Sequence, residues 1–239
     1  MKKYKLTEET KHIGFGTLYR ICAIRDFGDV KAGDMGGWIE SEKNLSHEGN
    51  AWVYDNARVR GNAIVCGDAE VCGNARVCGN ARVRDNGWVR DNVLVYGNAR
   101  VYGNARVYGN ARVYGNARVH DNTQVYDNTQ VYGNALVYGN ALVYGNALVC
   151  ANAQVCGNVQ VCDNALVRTV NDWIAINNIG SRDSTTTFFM DKDKGISVSC
   201  GCFTGKIEEF AEAVKKTHGD NRHAKAYMAA IEMAKARIL

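Results

Sequence analysis

Proline is absent from all 239 residues of this chain. Its tight turns therefore fall to glycine, asparagine and aspartate, which tolerate turn dihedrals for other reasons. No apolar run approaches the roughly 20 residues that a membrane span requires. The opening stretch, MKKYKLTEETKHIGFG, has lysines but no apolar core of signal-peptide length. These absences predict a cytoplasmic protein with no membrane partner. In that setting the nine cysteines read as free thiols, not as a disulfide framework. Lysine vanishes between 51 and 168, a segment that holds eleven arginines. A net charge of +4 is too modest to signal a nucleic-acid partner. What is present suffices for folding: 46% of residues are hydrophobic and 23% charged.

From Ala51 the chain obeys A-x-V-x-[G/D]-N without one inserted residue. Valine recurs at 53, 59, 65 and every sixth position to 167, which makes twenty hexads. Two degenerate hexads, IESEKN and LSHEGN, keep Asn44 and Asn50 in register ahead of them. A period of six is neither helical nor that of a long strand. Within each hexad, though, Ala and Val lie two apart and share a face, as in a strand. The Gly-Asn or Asp-Asn pair then turns a corner. Short strands alternating with corners predict a parallel β-solenoid with inward columns of valine and alanine. Three hexads per coil give about seven coils and a rod of roughly 32 Å, with coils about 4.8 Å apart. Asparagine side chains are expected to ladder from coil to coil.

The segment GGWIESEKNLSHEGNAWVYDNARVRGNA at 36–63 and the uninterrupted VYGNAR hexads resemble the hexapeptide-repeat, left-handed β-helix proteins of the LpxA-like superfamily. Within it they are most similar to the YdcK-like group of bacteria and prophages. Left-handedness comes from this resemblance alone, since parallel crossovers are normally right-handed. The resemblance implies further expectations. Many such proteins are acyltransferases with a histidine general base, an acyl-CoA or acyl-carrier donor and a site between subunits of a trimer. A homo-oligomer, the trimer favoured, follows as an expectation.

With three hexads per coil, residues 18 apart stack. One face then carries Tyr108, Tyr126 and Tyr144, and a second carries Tyr96, Tyr114 and Tyr132. The third carries Tyr102, His120 and Tyr138 beside the column Arg82, Arg100, Arg118. Stacked tyrosines cover a sheet and need no further role. Stacked arginines repel one another, so this column, with Tyr102, His120 and Tyr138, is the candidate contact for an unknown protein or a small anionic ligand. A solvated face is the plain alternative. Cys66, Cys72 and Cys78, then Cys150, Cys156 and Cys162, fall in an outward column. Each trio rings one coil and diverges, so no metal site is expected. Cys200-Gly201-Cys202 is a C-x-C lacking a second pair, a weak metal signal.

Both ends break the repeat. Residues 1–38 read as a β cap, 39–168 as the β-helix and 169–239 as a C-terminal α+β domain of ββαα type. The domain has a hairpin turn at 192–195, an alternating Ile196/Val198/Cys200/Cys202 strand and two helices. His218, Asn221, Arg222 and His223, at the start of the last helix, form a second candidate anion site. The fold class is thus mainly β, a β-helix with an N-terminal β cap and a C-terminal α+β domain. No cofactor is called for. His120 is the one histidine in the regular coils, and Asp121 follows it at a corner, where it is not assured of reaching the ring. The transferase scaffold is matched and its enclosing loop is missing. The reading is a non-enzymatic scaffold; the alternatives are a hexapeptide-class acyltransferase and a phage protein that sequesters a nucleotide signal.

Overall fold

A computed structural model describes residues 1–14 and 16–239. Twenty two- to four-residue strands, β4 (Trp52–Val53) to β23 (Leu166–Val167), form the rod. Each pairs in parallel with the strand 18 residues away, so Val95 lies against Val77 and Val113. Three sheets result. The first face holds Val59 to Val167, the second Val53 to Val161 and the third Val65 to Val155. All twenty valines have no exposed surface. Each contributes about 1.5–3 kcal/mol by burial. Threonine replaces alanine at 123 and 129, and each buried hydroxyl donates to a backbone carbonyl three residues back, of His120 and Tyr126, at 2.7 Å.

The corners divide their labour more sharply than the pairing of letters implies. Only the fifth residue of each hexad turns left-handed, with φ of 67° at Gly61 and 61° at Asp121. The asparagine after it builds the ladder. Asn80, Asn98 and Asn116 are linked Nδ2 to Oδ1 at 3.0 Å, and equivalent ladders climb the other two corners. Glycine also allows close stacking: a Cβ at Gly103 would lie 2.8 Å from the Asp121 amide nitrogen. Where aspartate takes the turn, its carboxylate compensates by accepting the amide of the next coil's glycine, as Asp91 does from Gly109 at 3.0 Å.

Ala151 takes the same turn, at φ 54°, without either advantage. Left-handed backbone costs a residue with a Cβ about 1 kcal/mol. Ala151→Gly is expected to raise stability by about 0.5–1 kcal/mol. A urea titration reads this as a higher midpoint, and a lowered one would show the corner to be unstrained.

The N-terminal residues continue the first face. β1 (Tyr4–Ile13) and β2 (Gly16–Ala23) form an antiparallel hairpin, and β3 (Met35–Ile39) joins it to the rod by pairing Ile39 in parallel with Val59. Lys3 plugs the open end, with Nζ donating to the carbonyls of Gly49 and Ala51 at 2.9 and 2.8 Å. Burial, with Arg25 nearby, pulls its ammonium down to about 8.

At the other end, β24 (Trp173–Ile179), β25 (Ser184–Met190), β26 (Ile196–Cys200) and β27 (Phe203–Lys206) make an antiparallel sheet, followed by α1 (Ile207–His218) and α2 (Arg222–Ile238). The α+β domain therefore has four strands ahead of its helices. Its sheet is covered on both sides. Phe189 packs into the rod core, while its neighbour Phe188 packs with Phe210 and Ile231 under the helices. Successive strand residues point to opposite faces, so this one dipeptide ties the two cores together. Cys202 lies in the turn beyond β26 and is exposed; it does not share a strand face with Cys200, which hydrogen-bonds Thr186 and Tyr227.

Candidate functional site

On the third face the strands place Arg82, Arg100 and Arg118 in direct register. All three are exposed. None makes an ion pair or a side-chain hydrogen bond among the described residues. At the coil spacing, each neighbouring pair of like charges repels by about 1 kcal/mol in water before screening. One oxyanion shared by two heads removes that repulsion, and the guanidinium fork is built for it. The asparagine ladder at 62, 80, 98 and 116 runs alongside and, with Arg82 and Arg100, walls a trough of about 560 Å³. Period-18 stacking puts these asparagines beside the arginines; the sequence reading missed them because they were accounted for as a ladder.

Two residues further along each strand runs an aromatic column. The Arg84 guanidinium caps Tyr102 at 4.6 Å from the ring centre, a cation–π contact. Tyr102 stacks on His120 at 4.7 Å, and His120 on Tyr138 at 5.3 Å. Arg84 was not among the residues the sequence reading singled out.

Asp121 does reach the histidine, contrary to the expectation for a corner residue. The left-handed turn swings its carboxylate back, and Oδ1 lies 3.0 Å from His120 Nδ1. Its Oδ2 accepts the Gly139 amide at 3.2 Å. The hydrogen bond from His120, then that from Gly139, holds this carboxyl below the usual range. A carboxylate at Nδ1 fixes the neutral tautomer with its proton there and leaves Nε2 as acceptor.

The second candidate site lies at the turn between α1 and α2. Asn221 caps α2, and its Oδ1 accepts the amides of His223 and Ala224 at 2.8 and 3.1 Å. Those two backbone amides are therefore not free for an anion. His218 leans towards His223 and Tyr227, at 5.8 Å from each ring, and Arg222 is exposed. The cysteine columns also differ from expectation at their last coil. Cys150 and Cys162 are buried, and burial pushes the Cys162 thiol up to about 11. Cys162 keeps its outward position on the rod, and Ser199 and Thr204 of the C-terminal domain cover it.

No helix among the described residues is long and apolar enough to cross a membrane. Three parallel sheets closed around valine columns, capped at both ends, define a β-solenoid. More narrowly, its repeats are of the YdcK β-solenoid type. The YdcK β-solenoid repeat model matches residues 51–67, 75–91, 94–109, 99–113, 105–121, 111–127, 130–145 and 137–151. A relative in Escherichia coli (strain K12), "Uncharacterized acetyltransferase YdcK", is 48% identical over 63 residues. That match covers 23% of this chain and 19% of the relative's length.

Proposed function

We propose that the protein is a binding scaffold whose third face holds an acidic partner. The observation that carries this reading is the register of three unpaired guanidiniums, Arg82, Arg100 and Arg118, beside the Arg84–Tyr102–His120–Tyr138 stack. A uniform rod presents nearly the same surface on every coil, which suits a long periodic contact better than a small substrate. The test is retention on a polyglutamate matrix. The triple variant Arg82→Gln/Arg100→Gln/Arg118→Gln is expected to elute at distinctly lower salt than the parent. A control with the same charge change on the other faces, Arg90→Gln/Arg106→Gln/Arg112→Gln, should elute close to the parent. Equal shifts in the two triples would reduce the contact to net charge and remove the third face from the account.

A second reading, an acyltransferase, is supported by the His120–Asp121 pair and by the printed name of the E. coli relative. In it, Nε2 of His120 would accept a proton from an acceptor hydroxyl or amine. Two features weigh against it. Tyr102 and Tyr138 cover both faces of the imidazole, and the twenty hexads throw out no loop to enclose a substrate. Acetyl-CoA turnover that disappears in His120→Gln would reverse the order of the two readings.

A further inference from the structure

At the N-terminal end of the first face, away from the column just described, the β1–β2 hairpin outruns the short strands of the rod. Ile13 and Leu18 of the hairpin line one side of a cleft of about 560 Å³, and Glu40, Arg58, Arg60 and Arg76 line the rod side. Arg58 and Arg76 stand in register one coil apart. Arg60 follows Arg58 by two residues and so lies in the neighbouring outward column. Among the described residues none of the three makes an ion pair or a side-chain hydrogen bond. Glu40 accepts the Gly61 amide and is thereby committed to the corner backbone. In the same column, one coil before Arg58, Trp38 is 4% exposed and its indole N–H has no acceptor. This end of the face is rich in donors and poor in acceptors.

We propose that this cleft binds a small, doubly charged oxyanion carried on an organic body, a phosphate monoester in particular. Three guanidiniums against one carboxylate leave two positive charges, the charge of a phosphate monoester near neutral pH. The heads come from two columns and two coils, so they approach from more than one direction. Three terminal oxygens on a tetrahedral phosphorus meet that arrangement, whereas a flat carboxylate engages a single fork. The half-buried Ile13 and Cys78 offer apolar surface for the organic body. Glu40 Oε1, the oxygen that Gly61 leaves free, is the acceptor for a ligand hydroxyl. Pocket sites of this kind combine an apolar lining with a few convergent polar groups.

The experiment is isothermal titration calorimetry of the full chain with glycerol 3-phosphate, and with succinate as the dicarboxylate of equal charge. Saturable binding of glycerol 3-phosphate at about 1 mM or tighter is expected, with succinate weaker. Arg58→Gln, Arg60→Gln and Arg76→Gln should each weaken it about tenfold. Arg82→Gln/Arg100→Gln/Arg118→Gln on the third face should leave it unchanged, so this site and the proposed partner face stand or fall separately. A measurement that needs no variant is phenylglyoxal labelling read by mass spectrometry. Glycerol 3-phosphate should protect Arg60 and Arg76, which are exposed in the free protein, and should not protect Arg100. No saturable heat with glycerol 3-phosphate, tighter binding of succinate, or unprotected Arg60 and Arg76 would overturn the proposal.

Discussion

Asp191→Ala is expected to destabilise the C-terminal domain by about 3–4 kcal/mol, because it removes the acceptor on which the β25–β26 turn, Ser197 and Lys206 converge. The Asp191 side chain is almost fully buried. One carboxylate oxygen accepts the amides of Asp193 and Gly195 at 2.9 and 3.1 Å. The other accepts the Ser197 hydroxyl at 3.0 Å and the Lys206 ammonium at 2.6 Å. Its backbone forms a bridge to Ala165 on the last coil. Alanine would leave two amides and a hydroxyl without partners inside the fold. Lys206 is half exposed and can turn to solvent, which keeps the loss below the top of the range for a broken buried pair. Helical circular dichroism isolates the event, since both α-helices lie in this domain. An unchanged urea midpoint would refute the assignment, and Asp191→Asn, which keeps one acceptor, should fall between. The same residue sets an acid limit. Burial alone would raise its pKa, but Lys206, then Gly195 and Ser197, more than offset this and hold it below the ordinary aspartate value. A depressed carboxyl contributes stability that is complete above the unfolded pKa, near 4, and is lost as pH falls through the folded value. The parent domain should therefore weaken with acid below about pH 4, and Asp191→Ala should lack that step.

Removing residues 169–239 is expected to turn a discrete particle into end-to-end aggregates. The domain does more than sit beside the rod. Phe189 fills the end of the valine core, and the Trp173 indole donates to the Gln154 carbonyl at 2.8 Å. Lys192 donates from its amide and its ammonium to the carbonyls of Asn164 and Asn146, at 3.0 and 2.8 Å. Without these groups the last coil presents unpaired backbone donors and acceptors in parallel-sheet geometry around an open apolar core, which is a template for another rod. Light scattering should show mass growing with concentration for the truncated chain, while far-UV circular dichroism retains its β signal. A truncated chain that stays monodisperse at micromolar concentration would mean that the coil edge needs no cover.

The rod was legible in the sequence because a solenoid converts period into position. Valine spacing gave the core, and the 18-residue arithmetic gave the three faces, down to the stacking of Tyr102, His120 and Tyr138. Legibility failed wherever a residue's neighbours came from outside the repeat. Cys162 obeys the outward rule, yet lies buried beside Ser199 and Thr204 of the C-terminal domain. Asp191 sits in MDKDKG, which reads as an ordinary turn, and nothing local signals that four donors converge on it. Arg58, Arg60 and Arg76 read as plain outward positions of the repeat until the hairpin gave them a second wall. Asp121 failed for another reason. The sign of one φ angle decides whether a corner carboxylate faces solvent or the preceding ring, and letters alone do not carry that sign.

The hydrogen bonds of the three sheets run from coil to coil, parallel to the length of the rod, and each coil is held only by its two neighbours. Tension applied at the two ends therefore falls on one layer of bonds at a time and is never shared along the whole shaft. Each failure pays out a single loop of 18 residues, about 60 Å of extended chain, and then meets the next, nearly identical layer. The repetition thus gives the shaft a stepwise mechanical yield, with the asparagine ladders as the rivets of each step and the terminal domains as its grips.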